Sequence, residues 1–255
     1  MFDLIRIREE SFVAGISHFD EIDSTNSCLL KQLEESSADG PLLVLAERQT
    51  AGRGRGSNQW WAANGALTFS LAVEANDLRP DQICKASLST GLAVCQALER
   101  FVPAGDLALK WPNDVYLEGK KIAGILIERP ASRSDFIVIG IGININNSMN
   151  DAPEDISSKA ISLIDCIEIE TDLTTVLIES LQQIESRLRS IRLGDSMLLD
   201  QWRAYCMLTG RSVTIDVYDK EISGVCTGID GEGALLVKAR DQVHRCIGGV
   251  VKSFQ

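Results

Sequence analysis

The stretch that most restricts the fold is residues 107–128, LALKWPNDVYLEGKKIAGILIE. Its strand-like halves flank Glu118, Gly119, Lys120 and Lys121, a turn with glycine at its centre, which predicts a β-hairpin. Pro112 fixes the backbone ahead of it, so Asn113 and Asp114 are displayed at a strand end. Simple alternation along the returning strand puts Lys121 on the face of Ala123 and Ile125. A strand-end lysine is most often a solvated surface group. Here one element gathers Lys110, Trp111, the Pro–Asn–Asp turn and two more lysines, and that concentration marks a candidate site.

Around the hairpin the pattern alternates between helix and strand. EIDSTNSCLLKQLEESS reads as a helix capped by Asp23 or Ser24, with Leu29, Leu30 and Leu33 on one stripe. PLLVLAE and GALTFSLAVE predict two buried strands, and DFIVIGIGININ a third. A helix is expected over 80–101 with Pro80 at its start. Residues 147–160 are polar and aperiodic, which predicts a loop or lid. Leu173, Val176, Leu177, Leu181, Ile184, Leu188 and Ile191 share one face of a helix closed by Gly194, and a second helix spans about 195–207. After Gly210, four or five short strands alternate with acid- and glycine-bearing turns, the pattern of a small β-barrel. The expected class is α+β: a mixed, largely antiparallel sheet with helices over 1–207, then a small C-terminal β-barrel over 208–255.

Composition narrows the chemistry. The net charge of −11 argues against broad nucleic-acid binding, which needs a basic face. No apolar run approaches the roughly 20 residues that cross a bilayer, and the N-terminus lacks the features of an export signal. Seven cysteines are scattered without a CxxC pair, beside two histidines, which argues against a disulfide framework and against zinc. A reducing cytoplasm is the expected setting, with no membrane and no nucleic-acid partner. Any anion must be held by a local group of cations.

Two glycine-bearing segments supply candidates. In ERQTAGRGRGSNQWWAANG (47–65), alternating glycines let backbone N–H groups approach an anion, while Arg53 and Arg55 offer paired planar donors. It lacks the Walker A pattern, and a solvated turn is the plain alternative. In GIGININ (140–146), Gly140 and Gly142 remove side chains from a strand otherwise fit for burial, which marks a bulge or a close ligand approach. No helix opens there, so a dinucleotide reading fails.

GRGRGSNQW, KWPNDVYLEGKKIAGILIE and GIGININ, in this order and spacing, together resemble the biotin protein ligases. DSTN (23–26), GIDGEGALLV and GGVVKSF extend the resemblance from about Asp20 to the C-terminus. It implies a biotinyl/lipoyl-ligase-type domain and a short form without the N-terminal DNA-binding domain of the family's repressors. The implied reaction joins biotin to a lysine of a biotin carboxyl carrier protein, of acetyl-CoA carboxylase or a related carboxylase, through biotinyl-5′-adenylate made from ATP with Mg²⁺. The resemblance assigns Lys121 and Arg55 to catalysis. It assigns Ser24, Thr25, Asn26, Gln49, Gly52, Arg53, Gly124 and Gly142 to biotin, with Gly140 also lying against the ligand. ATP and its phosphates fall to Arg53, Arg55, Trp60, Lys110, Asn113, Asp114, Lys121 and Asn144; Asn113 and Asp114 either assist magnesium–ATP, with Asp114 the candidate metal ligand, or orient the acceptor lysine. The basic loop continues as Gly56, Ser57, Asn58 without a third arginine. No aromatic residue lies between Asn144 and Trp202, so adenine is expected on aliphatic groups or elsewhere. Lipoate–protein ligase and a non-catalytic biotin sensor are the alternatives. Monomer and homodimer both remain open.

Overall fold

The computed structural model describes residues 2–35, 40–76, 82–102, 107–194, 197–217 and 220–255, with the backbone alone at 82–84. A seven-stranded sheet runs β1-β2-β3-β7-β6-β5-β4. Its strands are β1 (Gly15–Ile22), β2 (Leu42–Gln49), β3 (Leu67–Glu74), β4 (Leu107–Lys110), β5 (Asp114–Leu117), β6 (Lys120–Glu128) and β7 (Phe136–Ile143). β1 and β2 are parallel, joined through α2 (Thr25–Glu35), while every other pair is antiparallel. The parallel pair needs its helical crossover; the antiparallel strands need only turns. Ser24 caps α2 as expected, its Oγ accepting from the Ser27 N–H at 3.4 Å.

The sheet's two faces follow from alternation. Along β7, Ile137, Ile139, Ile141 and Ile143 point into the large core shared with α3 (Gln82–Leu98) and α6 (Leu173–Arg192). Phe136 and Val138 face the other way, against Leu29 and Leu33 of α2. Farther along that second face stand Gly140 and Gly142, and there the apolar cover ends. α6 buries the expected stripe, Asp172 caps it and Gly194 follows it at φ +70°. Pro80 lies outside the described residues, as do 195–196 ahead of α7 (Met197–Tyr205).

Two segments are more ordered than periodicity foretold. α1 (Leu4–Glu10) packs on α6 and is capped by Asp3. Residues 147–160 contain a 3-10 turn, Met149–Asp151, and one helical turn, α4 (Glu154–Ser157), followed by α5 (Leu163–Ile167). The Lys121 N–H donates to Lys159 O and the Ile161 N–H to Lys121 O, both at 3.0 Å, so this connection is pinned along β6. Elements of three to five residues are too short for a hydrophobic period to show.

The C-terminal unit is a five-stranded antiparallel sheet, ordered β11-β10-β9-β8-β12: β8 (Ser212–Val217), β9 (Lys220–Ile229), β10 (Leu235–Ala239), β11 (Gln242–Cys246) and β12 (Val250–Phe254). Its inner side chains, Val213, Ile215, Leu235 and Val237 among them, continue the main core. The buried Trp111 indole N–H donates to Gly233 O at 3.0 Å, tying this sheet to the hairpin. Among the described residues, no helix is long and apolar enough to cross a membrane.

Candidate active site

Strand register builds a floor. Thr68 on β3 pairs with Gly142 on β7, Gly142 with Gly124 on β6, Gly124 with Asp114 on β5, and Asp114 with Lys110 on β4. The next row on the same face holds Ser70, Gly140 and Leu126. A cleft of about 660 Å³ lies over these rows. Glycine is required where other side chains press on the floor. A Cβ at Gly142 would lie 2.2 Å from Trp60 Cε2, and one at Gly140 2.2 Å from Asn26 Oδ1.

The hairpin forms as predicted, with Glu118 (φ 50°) and Gly119 (φ 77°) in the turn. Its facing differs from simple alternation. Val115 pairs with Ala123 but Tyr116 with Lys121, leaving Ile122 as an extra residue, a β-bulge. Ala123 and Ile125 are buried in the main core. Lys121 is returned by the bulge to the opposite face, beside Gly124 and Asp114. Its Nζ lies 2.6 Å from Asp114 Oδ1 and 5.9 Å from the centre of the Trp60 ring.

The glycine–arginine loop folds on itself. Arg53 bridges to Gln59, the Gly54 N–H donates to Asn58 O at 2.8 Å, and the Trp60 N–H to Gly52 O at 2.9 Å. A Cβ on Gly52 would come within 2.5 Å of Trp60 O, so Gly52 lets the two limbs cross. It is the one predicted site residue outside the cleft lining. The two guanidiniums differ. Arg53 grips Glu128 with both terminal nitrogens, Nη1 to Oε1 at 3.0 Å. Among the described residues, Arg55 Nη1 meets only neutral oxygens, Asn113 Oδ1 at 3.3 Å and Gly249 O at 3.4 Å. Asn113 also donates to Ile125 O at 2.7 Å, which fixes it on the hairpin.

One end of the cleft is neutral and polar. The Thr25 N–H donates to Gln49 Oε1 at 2.7 Å, and Ser70 Oγ lies 2.8 Å from Thr25 Oγ1 and 2.5 Å from Asn26 Oδ1. Asn26 Nδ2 donates onward to Glu128 Oε2 at 2.9 Å, linking this network to Arg53. The other end is cationic. Lys110 Nζ donates to Tyr116 Oη at 3.3 Å and stands 5.1 Å from the centre of the Phe254 ring. Burial pulls the Lys110 pKa below the ordinary lysine value, and burial pushes the Tyr116 phenol up to about 12. Arg53, Arg55, Lys110, Lys121 and Lys159 line the cleft against two acids, Asp114 and Asp155. A chain of strongly negative charge thus gathers cations here, as an anion site requires.

Asn144 lines the cleft and also anchors the 147–160 connection, donating to Ile161 O at 3.2 Å and accepting from Asn147 at 3.1 Å. The sequence reading missed Thr68, Lys159, Asp155 and Gly249 in the lining. Thr68 had a signal: it shares a face with Ser70 in an otherwise apolar strand. Lys159 and Gly249 had none, because only the folded chain brings their segments to the cleft.

A floor of glycine with cations over one end and hydroxyls and amides over the other defines a site for an anion carrying an uncharged polar end. Mounted on this α+β sheet, it belongs to the class of acid–protein ligases. The profile described as Biotin/lipoate A/B protein ligase family matches residues 18–144, and that of the Biotin protein ligase C terminal domain matches 208–251. The Biotin--[acetyl-CoA-carboxylase] ligase of Mycobacterium tuberculosis is 32% identical over 87% of this chain and 85% of its own length. The Bifunctional ligase/repressor BirA of Salmonella typhimurium is 30% identical over 98% of this chain and 78% of its own. Among solved structures, the biotin protein ligase from Aquifex aeolicus in complex with biotin and ATP superposes with a TM-score of 0.83 at 27% identity, covering 95% of this chain and 99% of that one. The chain belongs to the biotin/lipoate A/B protein ligase family, as one of its biotin protein ligases.

Proposed function

We propose that the chain is a biotin–[biotin carboxyl-carrier protein] ligase working in two steps. A biotin carboxylate oxygen attacks the α-phosphorus of ATP; the bond to the β-phosphate breaks, and pyrophosphate leaves. A carrier lysine amine then attacks the acyl carbon of biotinyl-5′-adenylate; AMP leaves and the amine loses its proton. The observation that carries this reading is Lys121, turned by the bulge over the glycine floor at the cationic end of the cleft. The first step brings two anions together, so fixed cations are its main requirement.

Lys121 would bridge the biotin carboxylate and the α-phosphate. Arg55, whose partners are neutral, would be the loop's principal anion donor. Arg53, paired with Glu128, would brace the loop over the adenylate. Lys110 and Asn113 would serve the nucleotide, with Asn144 holding the adjoining connection. Ser24, Thr25, Asn26 and Gln49 would meet the uncharged end of biotin, with Gly140, Gly142 and Gly124 letting Asn26, Trp60 and Lys121 settle low enough on the sheet to leave room for the acid. Trp60 lies across Gly142, so a place beside biotin is favoured over one on the phosphates. Ile156, Ala160 and Val250 supply aliphatic surface for adenine.

Among the described residues, no group of three or more His, Cys, Asp or Glu side chains is placed to hold a metal. That suits magnesium delivered by the nucleotide, which needs one or two carboxylates beside the phosphates, and Asp114, set against Lys121, is the candidate. Bound there, the ion would neutralise phosphate charge.

The division into 1–207 and 208–255 is supported by the C-terminal profile starting at 208. The cytoplasm, where carriers and ATP meet, is the proposed setting. One copy of the chain supplies every residue named, so activity is expected from a monomer whether or not it pairs. The test is pyrophosphate release with magnesium–ATP and biotin, lipoate, octanoate or no acid, with and without a carrier domain. A biotin-only signal, sustained by the carrier, is expected. A lipoate signal would move the reading to lipoate ligation, and biotin binding without pyrophosphate release would make the protein a sensor.

A further inference from the structure

Ser70 and Thr68 are the two hydroxyls that β3 turns toward the cleft, and their situations differ. Ser70 Oγ is held between Thr25 and Asn26. Thr68 is only 4% exposed, lines the cleft, and its Oγ1 has no hydrogen-bond partner among the described residues. The indole N–H of Trp60 is likewise buried and unpartnered. Its nitrogen lies 2.5 Å from where a Cβ of Gly142 would be, and Gly142 is the cross-strand neighbour of Thr68. A buried polar atom without a partner destabilises a fold, so such atoms at a cleft wall point to a ligand that completes them.

We infer that Thr68 is a specificity-determining residue of the acid site, its hydroxyl reading the cyclic urea of biotin. This rests on the function proposed above. The placement argues for the uncharged end of the substrate. Thr68 stands two strands from Gly124, about 9–10 Å across the sheet, and Lys121 stands over Gly124. A carboxylate held at Lys121 therefore leaves the opposite end of the acid near Thr68, beside the neutral network of Thr25 and Gln49. A hydroxyl can both donate and accept, which matches a urea bearing N–H groups and a carbonyl. A dithiolane or a plain alkyl chain offers no such pair, so lipoate and octanoate gain nothing from this hydroxyl and biotin is favoured over both.

The test uses the full chain with Thr68→Val and Thr68→Ser. Binding of biotin, desthiobiotin (which keeps the urea), lipoate and octanoate is measured by calorimetry, with Tm recorded without ligand and KM and kcat for adenylation. Thr68→Val should raise Tm, because a methyl replaces an unpartnered hydroxyl. It should weaken biotin and desthiobiotin roughly ten- to hundredfold while leaving octanoate and lipoate unchanged. The loss should fall on KM with kcat preserved, as for uniform binding. Thr68→Ser should stay near wild type. The inference is overturned if Thr68→Val binds biotin as wild type does, or if it fails to fold, or weakens all four acids alike, since each of these makes Thr68 a packing residue. A wild-type protein that shows no preference for biotin would instead bring down the function proposed above, and this inference with it.

Discussion

Lys121 and Asp114 meet across a β-bulge, Nζ 2.6 Å from Oδ1, on the face of the sheet that carries the glycine row. A lysine paired in this way can exchange the carboxylate for an incoming anion. Replacing Lys121 with Met should lower the rate of pyrophosphate release about a hundred- to thousandfold, the usual cost of removing one preorganised donor. Stopped-flow or coupled pyrophosphate assays measure it, and a near-wild-type rate would remove Lys121 from the centre of the reaction.

The two loop arginines should separate in kinetics. Among the described residues, Arg55 has only neutral acceptors, and Arg53 already holds Glu128. Arg55→Ala is expected to slow adenylation about a hundredfold or more, while Arg53→Ala costs about tenfold and mainly increases adenylate escape. Single-turnover adenylation together with release of labelled adenylate distinguishes them. Equal losses in the forward step would show that Glu128 surrenders Arg53 to the substrate.

Gly142→Ala tests the floor. Its Cβ would overlap the Trp60 ring at 2.2 Å, so the indole must leave the floor. Overpacking of this kind costs about 1–3 kcal/mol. Biotin affinity should fall with it, and Trp60 fluorescence should shift. Unchanged affinity would mean that the indole's place over Gly142 is irrelevant to binding.

Lys110 predicts a pH dependence. Burial lowers its pKa below the ordinary 10.5. Between the lowered value and 10.5 the unfolded chain holds the proton and the folded chain does not, so stability gains with rising pH in that interval. The Tm of Lys110→Met minus that of wild type should therefore fall as pH rises there. Over the same interval the wild-type KM for ATP should rise as the cation is lost. A Tm difference independent of pH would contradict the buried, depressed lysine.

The sequence by itself settled what local chemistry governs. Alternation in FIVIGIGI is enough to separate the isoleucines from the two glycines onto opposite faces, because side chains on a strand repeat every two residues. The Glu118–Gly119 turn, the cap of α2 and the stripe of α6 were equally local, and the motifs carried the family. Tertiary structure alone decided where Lys121 points, because the extra residue of a bulge exists only relative to a partner strand, and it reversed the face that alternation had assigned. It likewise paired Arg53 with Glu128, placed Gly249 against Arg55 and left the Thr68 hydroxyl without a partner among the described residues. Each of these depends on distances between residues far apart in the chain, which the register of two sheets sets and no local pattern contains.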